Sequence, residues 1–139
     1  MSKADYNGSF VCSGQIDMEA LLTSLGVGWL KRKAASAIGY GVGKLVQTIV
    51  QEGDQVSVSN VGGQKDFQND IVVGTEQQVD SVDGTVTITT SWDTEGNMVM
   101  NTEMMGKPVV IVRKMIDNTT MHLLISHNGV SATRIFTRK

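Results

Sequence analysis

Turn signals recur along most of this 139-residue chain and divide it into short segments. From Lys44 onward, pairs such as Gly53-Asp54, Glu95-Gly96 and Asn128-Gly129 separate runs that are rich in β-branched residues. Short strands joined by tight turns form a meander of antiparallel hairpins. With a further strand near residues 8–13, the chain has about ten strands. Such a meander forms a sandwich or a closed barrel, and closure removes the exposed sheet edges.

Two helices are predicted before the meander. Asp17 can cap the first helix, and Gly26 ends it. Its apolar side chains fall at i, i+3, i+4 and i+7 and make one stripe: Met18, Leu21, Leu22 and Leu25. The second helix is expected from about Trp29 to Ile38, with a basic side that faces mostly solvent: Lys31, Arg32 and Lys33.

Alternation along the predicted strands indicates which side chains face inward. In residues 85–92 the inner face is apolar apart from one threonine: Val86, Ile88, Thr90 and Trp92. In residues 97–104 the inner set is rich in methionine: Met98, Met100, Thr102 and Met104. Methionine fills irregular space, so these faces suit either a packed core or an apolar cavity.

Two arginines interrupt the apolar faces near the end of the chain. Arg134 lies between Ala132 and Phe136 on one face, and Arg113 shares a face with Ile111. An unpaired guanidinium cannot be buried in a dry core without a large desolvation cost. The neighbouring strands offer no obvious inward carboxylate, and one interpretation is that a bound ligand's acid group is the counter-ion. The alternative is an arginine that faces outward through a bulge or pairs with an acid at the rim.

Charge and composition exclude several classes of function. The chain has 12 Lys+Arg and 14 Asp+Glu, a net charge of −2, so a nucleic-acid partner is not expected. Cys12 is the only cysteine, which fits a reducing compartment. The amino terminus lacks the apolar run of a secretory signal, and residues 20–30 are too short to span a bilayer, so we expect cytosolic residence. His122 and His127 alternate to opposite faces of a strand, and no metal or cofactor is expected.

Five segments of the chain, in their order and spacing, resemble a known family. They are residues 24–29 (SLGVGW), 32–36 (RKAAS), 51–54 (QEGD), 112–117 (VRKMID) and 129–136 (GVSATRIF). Together they resemble the intracellular lipid-binding proteins, the family of cytosolic fatty-acid-binding and retinoid-binding proteins. The resemblance implies an all-β, ten-stranded antiparallel up-and-down barrel of the lipocalin-like, calycin type. It also implies a helix-turn-helix lid between the first two strands, and one domain over residues 1–139.

The same resemblance implies how a carboxylate would be held. Family members that bind carboxylates use an arginine matching Arg113 and an Arg-x-Tyr element matching residues 134–136. Phe136 stands in place of the tyrosine, which removes one hydrogen bond worth about 1–3 kcal/mol to a charged group. Residues 39–43 form an insertion of about five residues relative to the family, between lid and barrel.

We therefore expect a cytosolic, monomeric carrier that binds a long-chain fatty acid or similar hydrophobic carboxylate and catalyses no reaction. The alternatives are a carrier of retinoic-acid-type or other lipids, a barrel isomerase, and an interaction protein with a filled core. The acid group is expected at Arg113 and Arg134, and the tail beside Met98, Met100, Ile111, Leu123, Ile125 and Phe136. The lid's inner surface is expected from Met18, Leu22, Leu30 and Ala34. Its basic residues can contact anionic membranes transiently.

Overall fold

The structure, a computed structural model, describes residues 3–82 and 84–139 as a ten-stranded sheet with two helices after the first strand. The strands are β1 (Gly8–Ile16), β2 (Val46–Glu52), β3 (Gln55–Val61), β4 (Phe67–Val72), β5 (Glu76–Ser81), β6 (Gly84–Trp92), β7 (Met98–Met104), β8 (Lys107–Met115), β9 (Thr120–His127) and β10 (Val130–Arg138). The helices are α1 (Met18–Ser24) and α2 (Trp29–Ala37), and a short 3-10 turn, Gly39–Gly41, follows α2. Both predicted helices are confirmed.

The sheet bends into a nearly closed barrel. Its strand order is β4-β3-β2-β1-β10-β9-β8-β7-β6-β5, all antiparallel, so β1 pairs with β10 and the edge strands β4 and β5 approach each other. One side chain of β5 joins these edges. Gln77 accepts a hydrogen bond from the Val72 backbone N–H (2.8 Å) and donates one to the Asp70 carbonyl (3.1 Å). The predicted barrel is confirmed, and the sandwich alternative is wrong.

Helix α1 covers part of one open end of the barrel, which we call the lid end. Its buried side chains Met18, Leu21 and Leu25 pack with three inward residues of the strands beneath: Val109, Ile125 and Ala132. Leu22, half-buried, packs against the same cluster. Asp17 stands before α1 with a φ of 62°, a left-handed conformation from which its side chain makes no capping hydrogen bond. The predicted cap is therefore wrong, and Gln15 Oε1 accepts a hydrogen bond from the Met18 N–H instead (3.1 Å).

Helix α2 lies outside the barrel and has no buried residue. Leu30 is 76% exposed and Ala34 is exposed, so the prediction that they form the lid's inner surface is wrong. Polar contacts hold α2 beside α1, because Arg32 Nε binds Glu19 Oε1 at 2.9 Å and Arg32 Nη1 donates to the Val27 carbonyl at 2.6 Å. Neither helix in the described ranges is long and apolar enough to cross a membrane.

The segment between α2 and β2 is tied to the barrel. The Gly43 N–H donates to the Cys12 carbonyl (2.7 Å), and the Cys12 N–H donates to the Leu45 carbonyl (2.8 Å). Within the 3-10 turn Tyr40 has a φ of 55°, and its hydroxyl donates to Glu19 Oε2 at 3.2 Å. The predicted insertion is thus an ordered turn that contacts both the lid and β1.

The inward side chains differ between the two ends of the barrel. At the closed end, opposite the helices, they pack without solvent contact: Tyr6, Phe10, Ile49, Met98, Met121 and Phe136. Toward the lid end, several inward side chains on β5–β8 are only half-buried, and we call them the accessible wall: Val79, Val86, Met100, Thr102 and Ile111. Ile111 of this wall also packs against the cluster beneath α1, so the helix and the accessible wall meet at β8.

Candidate ligand-binding site

Two arginine side chains lie at one level of the barrel interior. Arg113 on β8 is in register with Leu123 on β9, and Leu123 is in register with Arg134 on β10. Since neighbouring strands are about 4.8 Å apart, the two arginine Cα atoms are roughly 10 Å apart. Both residues stand on inward faces, because Arg113 is buried and Arg134 lies between the buried Ala132 and Phe136.

Arg113 is bound only by neutral groups. Its Nη1 donates to Gln47 Oε1 at 2.9 Å and lies 3.3 Å from Met121 Sδ, and Gln47 Nε2 donates to Asn60 Oδ1 at 2.8 Å. Its buried Nε has no partner within the described residues. Burial lowers the pKa of Arg113 from its ordinary value to about 10, so the group remains charged at neutral pH.

A second buried polar atom near this level lacks a partner in the described part of the chain, the Thr90 hydroxyl on β6. Thr90 is in register with Met100 and Met100 with Ile111, which is two residues from Arg113 on β8. An unsatisfied buried polar group costs about 1–3 kcal/mol, so native structures pair it with protein, water or a ligand. The interior therefore presents polar groups that a guest can satisfy.

Arg134 lies beneath the segment that joins the lid to the barrel. A Cβ atom placed on Gly41 would be 3.9 Å from Arg134 Nη1. Burial lowers the pKa of Arg134, and its charge also acts on the buried Cys12 thiol. No side chain among residues 3–82 and 84–139 forms a hydrogen bond or ion pair with Arg134.

The interior that the structure describes contains no carboxylate. All described Asp and Glu residues are exposed except Asp93, which is half-buried at the β6–β7 turn and binds the backbone and side chain of Asn97. The ion pairs of the described residues, Lys3 with Asp54 and Arg32 with Glu19, are both on the surface. The two interior arginines thus share a region without a protein anion.

Comparison with known proteins gives relatives over nearly the whole chain, although no family model matches. The chain is 26% identical over 135 residues to the sodium/calcium exchanger regulatory protein 1 of Doryteuthis pealeii, covering 97% of each chain. Among solved structures, the REP1-NXSQ fatty acid transporter has a TM-score of 0.77 at 21% identity, covering 96% of this chain and 95% of that one. A tyrosine-to-phenylalanine mutant of it also has a TM-score of 0.77, at 22% identity and with 96% and 97% coverage. The chain therefore shares the barrel fold of these two solved structures.

In this barrel, the predicted tail residues all lie on inward faces, at different depths. Met100 and Ile111 belong to the accessible wall, and Leu123 and Ile125 are buried on β9. Met98 and Phe136 are fully buried in the closed end. Contact of these six residues with a ligand remains a prediction, as does the role of Met18 and Leu22 in the lid.

The sequence pattern did not single out two interior residues, Gln47 on β2 and Asn60 on β3. Both face inward beside apolar residues, and their side chains connect Arg113 to two further strands. The alternation of β2 and β3 carries the signal, because an amide at an inward position interrupts a row of valine and isoleucine. A neutral amide in a strand is a weaker sign of a binding site than a charge. Here, however, Gln47 binds Arg113, and Asn60 binds Gln47.

Proposed function

We propose that this protein binds a long-chain fatty acid or a similar hydrophobic carboxylate inside the barrel, without catalysis, and carries it through the cytosol. The observation that supports this most is the pair of inward arginines, for which the described residues offer no counter-ion. A guanidinium binds a carboxylate through two parallel N–H donors. The description of the two solved structures as fatty acid transporters agrees with the proposal.

The ligand's acid group binds between Arg113 and Arg134, and its tail extends toward the accessible wall. Met100, Ile111, Leu123 and Ile125 provide apolar contacts along this path, each buried methylene contributing about 0.8 kcal/mol. Phe136 lies beneath the acid group, two residues from Arg134 toward the closed end, and Met98 lies beside it, in register with Arg113. The accessible wall meets the cluster beneath α1 at Ile111, so α1 borders the path by which the ligand enters.

The chemistry of the inward side chains supports a carrier rather than an enzyme. Alternation along β9 places His122 on the outer face, and burial raises the pKa of the Cys12 thiol, which keeps it protonated. Within the described strands the inner faces carry no carboxylate, and His127, at the lid end of the inner face of β9, already contacts the Pro108 carbonyl through Nδ1 at 2.7 Å.

The proposal is tested on lipid-free protein by titration with a long-chain fatty acid. We expect Arg134→Gln to weaken binding at least about tenfold, which corresponds to roughly 1.4 kcal/mol. Arg113→Gln should weaken it as well. The matched control is Lys114→Gln, which removes a neighbouring positive charge outside the barrel and should leave affinity unchanged.

Mass spectrometry of the protein purified with its bound lipid completes this test. A co-purified acid supports the carrier, and a chemically converted acid supports the isomerase. If lipid-free wild-type protein binds no fatty acid while circular dichroism shows an intact barrel, the proposal fails.

We further propose that the exposed face of α2 contacts anionic membranes transiently. Trp29 and Leu30 are 60% and 76% exposed beside Lys31 and Lys33, a combination of apolar and basic groups that suits a charged lipid surface. Lipid transfer to vesicles containing phosphatidylserine should be faster than to pure phosphatidylcholine vesicles. A Leu30→Ser, Lys31→Gln double variant should lose this difference while binding lipid normally.

A further inference from the structure

Ser36 on α2 follows a run of basic residues. Residues 31–33 read Lys-Arg-Lys, so positive side chains stand three, four and five positions before the serine. Protein kinases with an acidic substrate cleft select serines by this charge pattern. In the whole sequence, only Ser36 and Thr137 have Lys or Arg three positions earlier, and Thr137 lies within the paired strand β10. Ser36 is therefore the hydroxyl of this chain that best fits such a kinase.

Ser36 is also accessible. It is exposed in the last turn of α2, a helix with no buried residue, and Gly28 and Gly39 border this helix on its two sides. A kinase binds its substrate as an extended segment, so α2 has to open locally before the reaction. Opening of a helix without buried side chains requires little free energy. A kinase can thus reach Ser36 while the barrel stays folded.

Ser36 shares a surface cleft with the contact that holds α2 to α1. In this cleft Arg32 Nε binds Glu19 Oε1 at 2.9 Å, and the Tyr40 hydroxyl donates to Glu19 Oε2 at 3.2 Å. Ser36 is four positions after Arg32, so the two side chains lie on the same side of α2, one turn apart. The residues that line the cleft are Glu19, Trp29, Arg32, Lys33, Ser36 and Tyr40.

A phosphate on Ser36 changes the charge balance of this cleft. It carries about −1.5 to −2 charges at pH 7 and three acceptor oxygens, and a guanidinium binds phosphate through two parallel donors. The phosphate therefore competes with Glu19 for Arg32 and repels the Glu19 carboxylate. Its negative charge in the last turn of α2 also opposes the helix dipole. Each of these effects weakens the contact between α1 and α2.

We propose that Ser36 is phosphorylated by a protein kinase that selects basic residues before serine, and that the phosphate releases α2 from α1. The kinase transfers the γ-phosphoryl group of ATP. A bond forms between Ser36 Oγ and the γ-phosphorus, the bond from that phosphorus to the β–γ bridging oxygen breaks, ADP leaves, and the hydroxyl proton passes to a base of the kinase. Arg32 then binds the phosphate in place of Glu19.

Phosphorylation of the full-length protein by protein kinase C and by the cAMP-dependent protein kinase, with ATP, tests the site. Mass spectrometry of the peptides should locate phosphate at Ser36, and Ser36→Ala should remove it. Lys33→Gln should slow the reaction at least about tenfold, because it removes the positive charge three positions before the serine. Lys44→Gln, at an exposed lysine outside the helices, is the matched control and should react like wild type.

Hydrogen exchange of full-length protein with phosphoserine incorporated at position 36 tests the release of α2. At pH 7 the amides of α2 should exchange at least about threefold faster than in unmodified protein, while those of β8–β10 stay unchanged. The difference should shrink below a pH of about 6, where the phosphate takes up its second proton. In a Glu19→Gln background the phosphate should accelerate exchange less than about twofold, because the ion pair is already lost. Glu103→Gln is the control background and should keep the full effect.

Absence of phosphate at Ser36 after treatment with both kinases would overturn the proposed site. Unchanged or slower exchange in α2 of the protein with phosphoserine would overturn the release. An equal acceleration in the Glu19→Gln background would overturn the exchange of partners at Arg32. None of these outcomes bears on lipid binding, so the carrier is tested separately.

Discussion

The closed end and the lid end of the barrel are built from the same strands by different means. At the closed end the inward side chains are fully buried. Four aspartates at this end, one near the chain start and three in turns, accept hydrogen bonds that lower their pKa values: Asp5, Asp54, Asp93 and Asp117. At the lid end several inward side chains of β5–β8 are half-buried, although Val109, Ile125 and Ala132 are buried beneath α1. The β7–β8 and β9–β10 turns at this end contain positive-φ residues: Met105, Gly106, Asn128 and Gly129. One end is thus a fully packed core, and the other is packed on the side of α1 and more accessible on the side of β5–β8.

Two methionines on one strand give the largest expected contrast. Met98 and Met100 both face inward on β7, but Met98 is 1% exposed in the closed end and Met100 is half-buried in the accessible wall. Met98→Ala should lower the free energy of unfolding by about 2–5 kcal/mol, because it opens a cavity in a packed core. Met100→Ala should cost less than about 1.5 kcal/mol. Urea unfolding of the lipid-free variants measures both, and equal losses would contradict the division into two ends.

Removal of the buried cation should have the next largest effect. Arg113→Gln is expected to raise the free energy of unfolding of lipid-free protein by about 1–4 kcal/mol, because an uncompensated buried charge disappears. The folded-state pKa of about 10 lies below the unfolded value, so this charge penalty is fully present well below pH 10 and is relieved only as pH rises through that value. The gain should therefore be the same at neutral and mildly acidic pH. A loss of stability would show that Gln47 and Met121 already satisfy the guanidinium.

Loss of one surface carboxylate should loosen α2 without a large change in global stability. Glu19 binds both Arg32 on α2 and Tyr40 in the turn that follows. Glu19→Gln should speed tryptic cleavage at Lys31, Arg32 or Lys33 in native protein, while the free energy of unfolding falls by no more than about 1 kcal/mol. Glu103→Gln, an exposed change on β7, is the control. Unchanged cleavage would mean that Glu19 is not needed to hold α2 in place.

Acid should loosen the closed end before the lid end. Hydrogen bonds from Asn97 and Thr119 hold the pKa values of Asp93 and Asp117 below their usual range. Their contribution to stability is present above the unfolded pKa of about 4 and is lost as pH falls through the lower folded values. Hydrogen exchange at decreasing pH should show faster opening of the β6–β7 and β8–β9 turns. Earlier opening of the β9–β10 turn would contradict this order.

Alternation along the strands predicted correctly which faces point inward, because a nearly closed barrel buries one face of every strand. It placed Val86 and Ile88 inside and put Arg113 and Arg134 on inner faces. It could not show that the two arginines share a level, since register between strands depends on turn lengths and barrel stagger.

The helices were predicted less completely than the strands. Their bounds followed from apolar spacing and glycines, but Asp17 adopts a left-handed conformation that no local residue pattern indicates. The exposure of Leu30 depends on α1 already covering that side of the barrel, which is a tertiary property. Hydrophobic spacing shows that a helix has an apolar side, but not whether a partner is available to cover it.

The barrel closes through a side chain at one joint. Elsewhere around the sheet, rows of backbone hydrogen bonds fix the distance between strands, whereas among the described residues the Gln77 amide connects β4 to β5. We expect this joint to open before the backbone-paired strands do, because fewer hydrogen bonds have to break. The strands that carry Arg113 and Arg134 are paired by backbone hydrogen bonds and should keep their spacing when it opens.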